Sequence, residues 1–81
     1  MYLSVIHVEP RDNYQLLLEF ENNEKRLLDI TPYLKQGKYQ ELKDVRVFNT
    51  VRVCFDSIQW ENQLDLDPEF LYQKSMPIEN D

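Results

Sequence analysis

The chain has 81 residues, one cysteine and a formal net charge of −6. This length accommodates one domain, which buries only about 60% of the surface that its unfolded chain exposes. The single cysteine excludes an internal disulfide. The apolar runs are far shorter than a bilayer span, and Met1 leads into a strand pattern without a signal peptide. The sequence therefore predicts a soluble, cytoplasmic protein that does not enter a membrane.

The charge is distributed unevenly along the chain. Residues 1–24 carry a net charge of −4, residues 25–55 a net charge of +4 and residues 56–81 a net charge of −6. The acidic final third repels phosphate, which argues against direct nucleic-acid binding. Two interpretations stay open: a solvated surface with an acidic end, or an electrostatic docking face for a partner.

The first half of the chain predicts three β-strands. A β-branched run over residues 3–8 indicates a strand that ends at Pro10. The next run alternates with a period of two, and its apolar face is formed by Tyr14, Leu16, Leu18 and Phe20. Asn22 and Asn23 then predict a turn into a third strand over residues 25–30. A loop with an odd number of residues keeps Asp29 out of the core and predicts these opposed pairs: Leu18 with Leu28, Leu16 with Ile30, and Glu21 with Lys25.

The middle of the chain predicts short helices. Thr31 is suited to cap a helix that has Pro32 at its first position. Gly37, the only glycine, is expected to end this turn in a left-handed conformation. Tyr39 and Leu42 lie three residues apart on a second helical stretch that ends before Asp44.

The final part predicts a second hairpin and a closing helix. Val51, Val53 and Phe55 alternate, and a turn at Asp56 and Ser57 predicts these opposed pairs: Phe55 with Ile58, Val53 with Trp60, and Arg52 with Glu61. Asp67 is expected to cap a helix that begins at Pro68, with Glu69 in its first turn and Phe70 and Leu71 packing on the sheet.

These elements predict an α+β fold, a small antiparallel β-meander of about five strands with two or three short helices packed beside it. The domain is expected to span residues 1–72, followed by a flexible acidic tail over residues 73–81. The residues expected to hold the fold together are Phe48, Trp60, Pro68, Leu71 and Tyr72. A thin core and uncovered sheet edges leave a homodimer open.

The sequence contains no pattern that predicts catalysis. It has no Gly-rich phosphate loop, no clustered Cys or His and no Ser-His-Asp set, so neither catalytic residues nor a cofactor are predicted. The acids Asp65, Asp67 and Glu69 alternate, which a divalent cation could use, although capping already explains Asp67. Together with Glu61 they fall within nine residues without a base, and they form the predicted acidic face for a partner.

Several short motifs resemble a known family. The matching residues are Val8-x-Pro10, Tyr14-x-Leu16-x-x-x-Phe20, Asp29-x-x-Pro32, Leu42-x-Asp44, Phe48-x-x-Val51, Ile58-x-Trp60 and Asp65-Leu66-x-Pro68-Glu69-x-Leu71-Tyr72. Over about residues 3–72 the chain resembles the family catalogued as domain of unknown function 2442. Asn23 and Gln63 stand where that family usually has glycine, so turns of different geometry are expected there.

The resemblance implies a small α+β fold and no assigned activity. Members of this family are often encoded next to another small protein, in an arrangement suggestive of a toxin–antitoxin pair, and some carry an added helix-turn-helix domain. The leading hypothesis is therefore a non-enzymatic protein-interaction module, the antitoxin-like partner of a co-encoded small protein. Two alternatives stay open: an enzyme that binds a small molecule or divalent metal through the acids named above, and a regulatory domain separated from a helix-turn-helix partner.

Overall fold

The computed structural model describes residues 2–78, which form two antiparallel sheets and several short helices. The strands in this range are β1 (Val5–Arg11), β2 (Gln15–Phe20), β3 (Lys25–Asp29), β4 (Arg52–Cys54), β5 (Ser57–Gln59), β6 (Asp65–Leu66) and β7 (Met76–Pro77). The α-helices are α1 (Val45–Phe48) and α2 (Pro68–Lys74), and 3₁₀ helices span Asp12–Tyr14, Thr31–Tyr33 and Gly37–Lys43. No helix between residues 2 and 78 has the length and hydrophobicity to cross a membrane.

The mixed α+β architecture with antiparallel strands agrees with the sequence-based prediction. The prediction that about five strands form a single meander is wrong, because the strands form two sheets. One sheet has the strand order β1-β2-β3-β7 and the other has the order β4-β5-β6. The division follows from the helical middle of the chain, residues 31–48, which separates β3 from β4. The free edge of β3 is instead taken by β7 near the C-terminus.

The core is apolar and is shared by both sheets and by the helices. The predicted inner face of β2 is confirmed, since Leu16, Leu18 and Phe20 are fully buried. Tyr14 is half-buried, and its hydroxyl donates a hydrogen bond to the Lys43 carbonyl oxygen at 2.5 Å. The other buried apolar residues are Val5, Leu28, Ile30, Leu34, Leu42, Phe48, Val51, Ile58, Trp60 and Leu71.

Trp60 is the largest fully buried side chain among the described residues. It follows β5 directly, and its indole Nε1–H donates to the Phe48 carbonyl oxygen at 2.9 Å. The ring centroids of Trp60 and Phe48 are 6.3 Å apart. This contact joins the second sheet to the end of α1, while Leu71 from α2 belongs to the same core.

The first hairpin has the predicted faces but a different register. Leu16 lies opposite Leu28 and Leu18 opposite Arg26, which is two residues away from the predicted pairing. The loop has the expected odd length, because Phe20 N–H bonds to the Glu24 carbonyl oxygen at 2.9 Å across three intervening residues. A shift of two residues leaves every side chain on its original face, so the apolar pattern does not distinguish between the two registers.

The second hairpin shows the same two-residue difference. Arg52 lies opposite Gln59 instead of Glu61, and Val53 lies opposite Ile58 instead of Trp60. The strand β5 ends at Gln59 because the chain turns at once, with Gln63 N–H bonded to the Trp60 carbonyl oxygen. The predicted Arg52–Glu61 pair is therefore wrong, and the Arg52 guanidinium donates to the Gln59 side chain at 3.2 Å.

Three predicted features at the ends of elements in the first half also differ. β1 continues past Pro10 to Arg11, and it can do so because it is the edge strand of its sheet, where a missing N–H breaks no pairing. Thr31 does not cap a helix with its side chain; its N–H donates to Asp29 Oδ1 at 2.9 Å instead. Gly37 adopts the predicted left-handed conformation, with φ of +46°, but it begins a 3₁₀ helix and does not end one.

Residues 73–78 do not form the tail that the sequence predicts. Helix α2 runs to Lys74, and the chain then forms β7, which pairs antiparallel with β3. The expected domain boundary at residue 72 is therefore wrong. The sequence does not reveal β7, because two residues are too few to show alternation. Pro77 is tolerated there because β7 lies at the edge of the sheet. Residues 79–81 lie outside the described part of the chain.

Arg26 connects β7 to the rest of the sheet. Its guanidinium lies 4.1 Å from the centre of the Tyr72 ring. It donates to both the hydroxyl and the carbonyl oxygen of the buried Ser75 at 2.8 Å, and it pairs with Glu24 at 3.0 Å. The Tyr72 hydroxyl also donates to Glu24, at 2.8 Å. These contacts bring the end of α2 and the start of β7 onto the edge of β3.

The Glu24 carboxylate makes the stability of this cluster dependent on pH. Hydrogen bonds from Tyr72, Asn22 and Arg26 lower the pKa of Glu24 below its ordinary value of 4.5. The unfolded chain therefore takes up a proton at higher pH than the folded chain, and the stabilisation is lost as the pH falls below about 4.5. We expect the free energy of unfolding of Glu24→Gln to fall less steeply with acid than that of the wild type.

Urea unfolding between pH 6 and pH 3 measures this difference. Glu61→Gln is the matched control, because within residues 2–78 the Glu61 carboxylate makes no hydrogen bond or ion pair. It should retain the wild-type slope. Equal slopes for Glu24→Gln and the wild type would contradict the assigned role of Glu24.

Candidate functional site

A groove of about 690 Å³ lies between the tip of the second hairpin, β6 and the start of α2. The hairpin tip consists of Phe55 and Asp56, which connect β4 to β5. The residues lining the groove are Tyr2, Cys54, Phe55, Asp56, Ser57, Ile58, Gln59, Asp65, Leu66, Asp67, Pro68 and Glu69. The Ser57 hydroxyl donates to the Leu66 carbonyl oxygen and so connects two of its walls.

Local sequence explains how α2 places two of the acids at this groove. Asp67 is extended at the helix N-cap, and its Oδ1 accepts a hydrogen bond from Glu69 N–H at 2.8 Å. Pro68 occupies the first helical turn, where its missing N–H leaves no backbone bond unmade. This capping arrangement agrees with the prediction. Asp65 reaches the same groove from β6.

The charged side chains that line the groove in the described part of the chain are all acidic. Asp56 is its fourth carboxylate, and it accepts a hydrogen bond from the Tyr2 hydroxyl at 2.7 Å. The Asp56 carboxylate thereby raises the pKa of Tyr2, by this hydrogen bond first and by its charge second. No Lys, Arg or His is among the described residues that line the groove. Asp65 and Glu69 make no side-chain hydrogen bond or ion pair within residues 2–78.

Phe55 gives the groove an apolar side that the sequence does not reveal. The alternation of Val51, Val53 and Phe55 predicts a core position for Phe55, but this residue is 96% exposed. It is the most exposed large apolar residue in the described part of the chain. Its φ of 56° lies in the left-handed region, which bulky residues rarely adopt. Tyr2, 43% exposed, is a second aromatic ring at the groove.

The structure brings together three of the four acids in the predicted partner face. Asp65, Asp67 and Glu69 line the groove, whereas Glu61 does not. Glu61 lies in the turn after Trp60, where its N–H is bonded to Thr50 Oγ1 at 3.0 Å. Sequence reasoning missed Tyr2, Phe55 and Asp56. The turn residues Asp56 and Ser57 were recognisable, but the position of the turn depends on a register that alternation leaves open.

The groove does not offer the geometry of a metal site. Within residues 2–78, no three His, Cys, Asp or Glu side chains gather closely enough to hold a metal ion. His7 is exposed on β1 and is not among the residues that line the groove. What the arrangement provides is a concave surface with negative charge and an exposed aromatic ring. Such a surface attracts and desolvates a cationic group that carries apolar atoms.

Replacement of Phe55 by glycine tests the conformation of the hairpin tip. Glycine adopts positive φ without steric cost, and the exposed Phe55 ring contributes little packing to the core. We expect Phe55→Gly to raise the free energy of unfolding by about 0.5–1 kcal/mol in urea denaturation. Val53→Gly in the neighbouring strand, which does not have positive φ, should lower it. Destabilisation by Phe55→Gly would show that its ring is packed.

A comparison with family models finds a match to the family described as "Protein of unknown function (DUF2442)", over residues 5–77. The match covers both sheets and all the helices described above, including β7. No curated protein matches the chain significantly, and neither does any solved structure.

Proposed function

The chain belongs to the DUF2442 family of proteins of unknown function, and from this premise we propose that it is a non-enzymatic, cytoplasmic protein-interaction module. Its partner is a co-encoded small protein, toward which it acts as the antitoxin-like component. The partner contacts the groove beside the second hairpin. The observation that carries this proposal is the exposed Phe55 ring at the edge of a concave acidic surface.

The exposure of the Phe55 ring supports the proposal that the groove is an interaction surface. Phe, Tyr and Trp contribute strongly to interfaces because each buries a large apolar area in a rigid shape. The Phe55 ring is exposed to water, and the backbone of Phe55 has a left-handed conformation that is unfavourable for a bulky residue. A residue this exposed contributes little packing to the isolated domain, and burial against a partner gives it a function.

The charge of the groove supports a basic partner. Four carboxylates face the same space, and the described residues that line it include no base, so the carboxylates repel one another modestly. A basic protein relieves this repulsion and associates faster, particularly at low ionic strength. The frequent gene arrangement of the family, with a second small protein encoded alongside, supplies a candidate for such a partner.

Co-expression with the product of the neighbouring gene tests the proposal. We expect the two proteins to co-elute in size-exclusion chromatography with a defined stoichiometry, and we expect the complex to dissociate as salt is raised from 50 mM to 500 mM. The neighbour expressed alone should slow growth, and co-expression of this chain should restore it. A scrambled-sequence partner of equal charge is the control.

The two readouts separate the parts of the proposal. Failure to co-elute at low salt would contradict the interaction. Co-elution without any effect of the neighbour on growth would contradict the antitoxin-like role and leave the interaction in place.

A further inference from the structure

We propose that the groove binds an extended cationic segment of the partner, in which an apolar side chain packs on Phe55 and flanking Lys or Arg side chains pair with Asp65 and Glu69. This inference rests on the proposed function and deepens it, because it names the chemistry of the segment that the groove recognises.

Phe55 supplies the apolar half of this recognition. Phe55 is 96% exposed at a hairpin tip, so its ring is available to a ligand. Burying an aromatic side chain removes roughly 150–250 Å² from water, the largest contribution that one residue makes. The Tyr2 ring lies on the same groove, but its hydroxyl is bound to Asp56. Phe55 is therefore the anchor, and Tyr2 extends the apolar surface.

Asp65 and Glu69 supply the charged half. The other two acids already have partners in the fold, because Asp56 accepts from Tyr2 and Asp67 caps α2. Asp65 and Glu69 have no such side-chain partner within the described residues, so their oxygens remain available to Lys or Arg. Pairing inside a groove desolvates these charges and fixes the orientation of the ligand more than pairing on a flat surface does.

The dimensions of the groove favour an extended segment over a folded face. Its volume of about 690 Å³ lies within the range of about 300–1,000 Å³ in which pockets enclose a ligand of drug size. A few residues of an extended chain have this bulk. In an extended chain, neighbouring side chains point in opposite directions, so an apolar residue facing Phe55 directs its basic neighbours away from the hairpin tip, toward the side of the groove that carries Asp65 and Glu69.

Three labelled ten-residue peptides test the inference by fluorescence anisotropy. One alternates Lys and Leu, one alternates Lys and Ser, and one alternates Glu and Leu. We expect saturable binding of the Lys-Leu peptide, binding of the Lys-Ser peptide that is at least about tenfold weaker, and no binding of the Glu-Leu peptide. Equal affinity for the Lys-Leu and Lys-Ser peptides would overturn the apolar contact, and binding of the Glu-Leu peptide would overturn the charge preference.

Variants then locate the bound peptide. Phe55→Gly should reduce the affinity for the Lys-Leu peptide about tenfold, whereas Met76→Ala, at another exposed apolar residue, should not change it. The double variant Asp65→Asn, Glu69→Gln should weaken binding and reduce its salt dependence. Asp12→Asn, Glu61→Gln changes the net charge equally but lies outside the groove, and it should bind like the wild type. Equal losses in the two double variants would show an effect of net charge alone and overturn the inference.

The same variants distinguish this inference from the proposed function. If the co-encoded neighbour binds wild type and Phe55→Gly equally, the groove is not its docking site and the inference is wrong, while the interaction module stands. If the neighbour does not bind at all, the proposed function is wrong, whatever the peptides show.

Discussion

The hydrogen bond from Trp60 to the Phe48 carbonyl oxygen is the constraint on which the second half of the fold depends. The indole ring is fully buried, and a buried N–H without an acceptor is costly. The Phe48 carbonyl lies at the end of α1, so burial of Trp60 fixes the end of β5 against the helical middle of the chain. The tip of the same hairpin is held at Asp56, whose carbonyl oxygen accepts from Val5 N–H at 3.0 Å and whose carboxylate accepts from the Tyr2 hydroxyl, while Phe55 beside it remains in solvent.

The sequence predicted which faces are buried better than which residues are paired. The alternation in β2 identified the buried Leu16, Leu18 and Phe20 correctly. Both hairpins nevertheless differ from the predicted register by two residues, because side chains on a strand repeat with that period. Only the turn geometry decides between such registers, and here residues other than glycine occupy the decisive left-handed positions, Asn23 and Phe55.

The candidate site could be predicted only in part, because alternation along a strand does not fix the register of the hairpin. Clustered acids are visible as charge, and Asp67 is visible as a cap, but an apolar residue such as Phe55 in an alternating run is read as core. Where the resemblance expects glycine, Asn23 and Gln63 have φ values of 71° and 69°. Those two turns keep the left-handed conformation that glycine favours, which corrects the expectation of a different geometry.

Titration of the ¹⁵N-labelled protein with its co-encoded neighbour, followed by NMR, tests most directly whether the groove is the docking surface. The account predicts that the backbone amide signals of Phe55, Asp65 and Glu69 shift or broaden as the neighbour is added. Val45 and Met76, which are exposed apolar residues outside the groove, should keep their positions. Changes centred on Val45 or Met76, with the signal of Phe55 unaffected, would contradict the account.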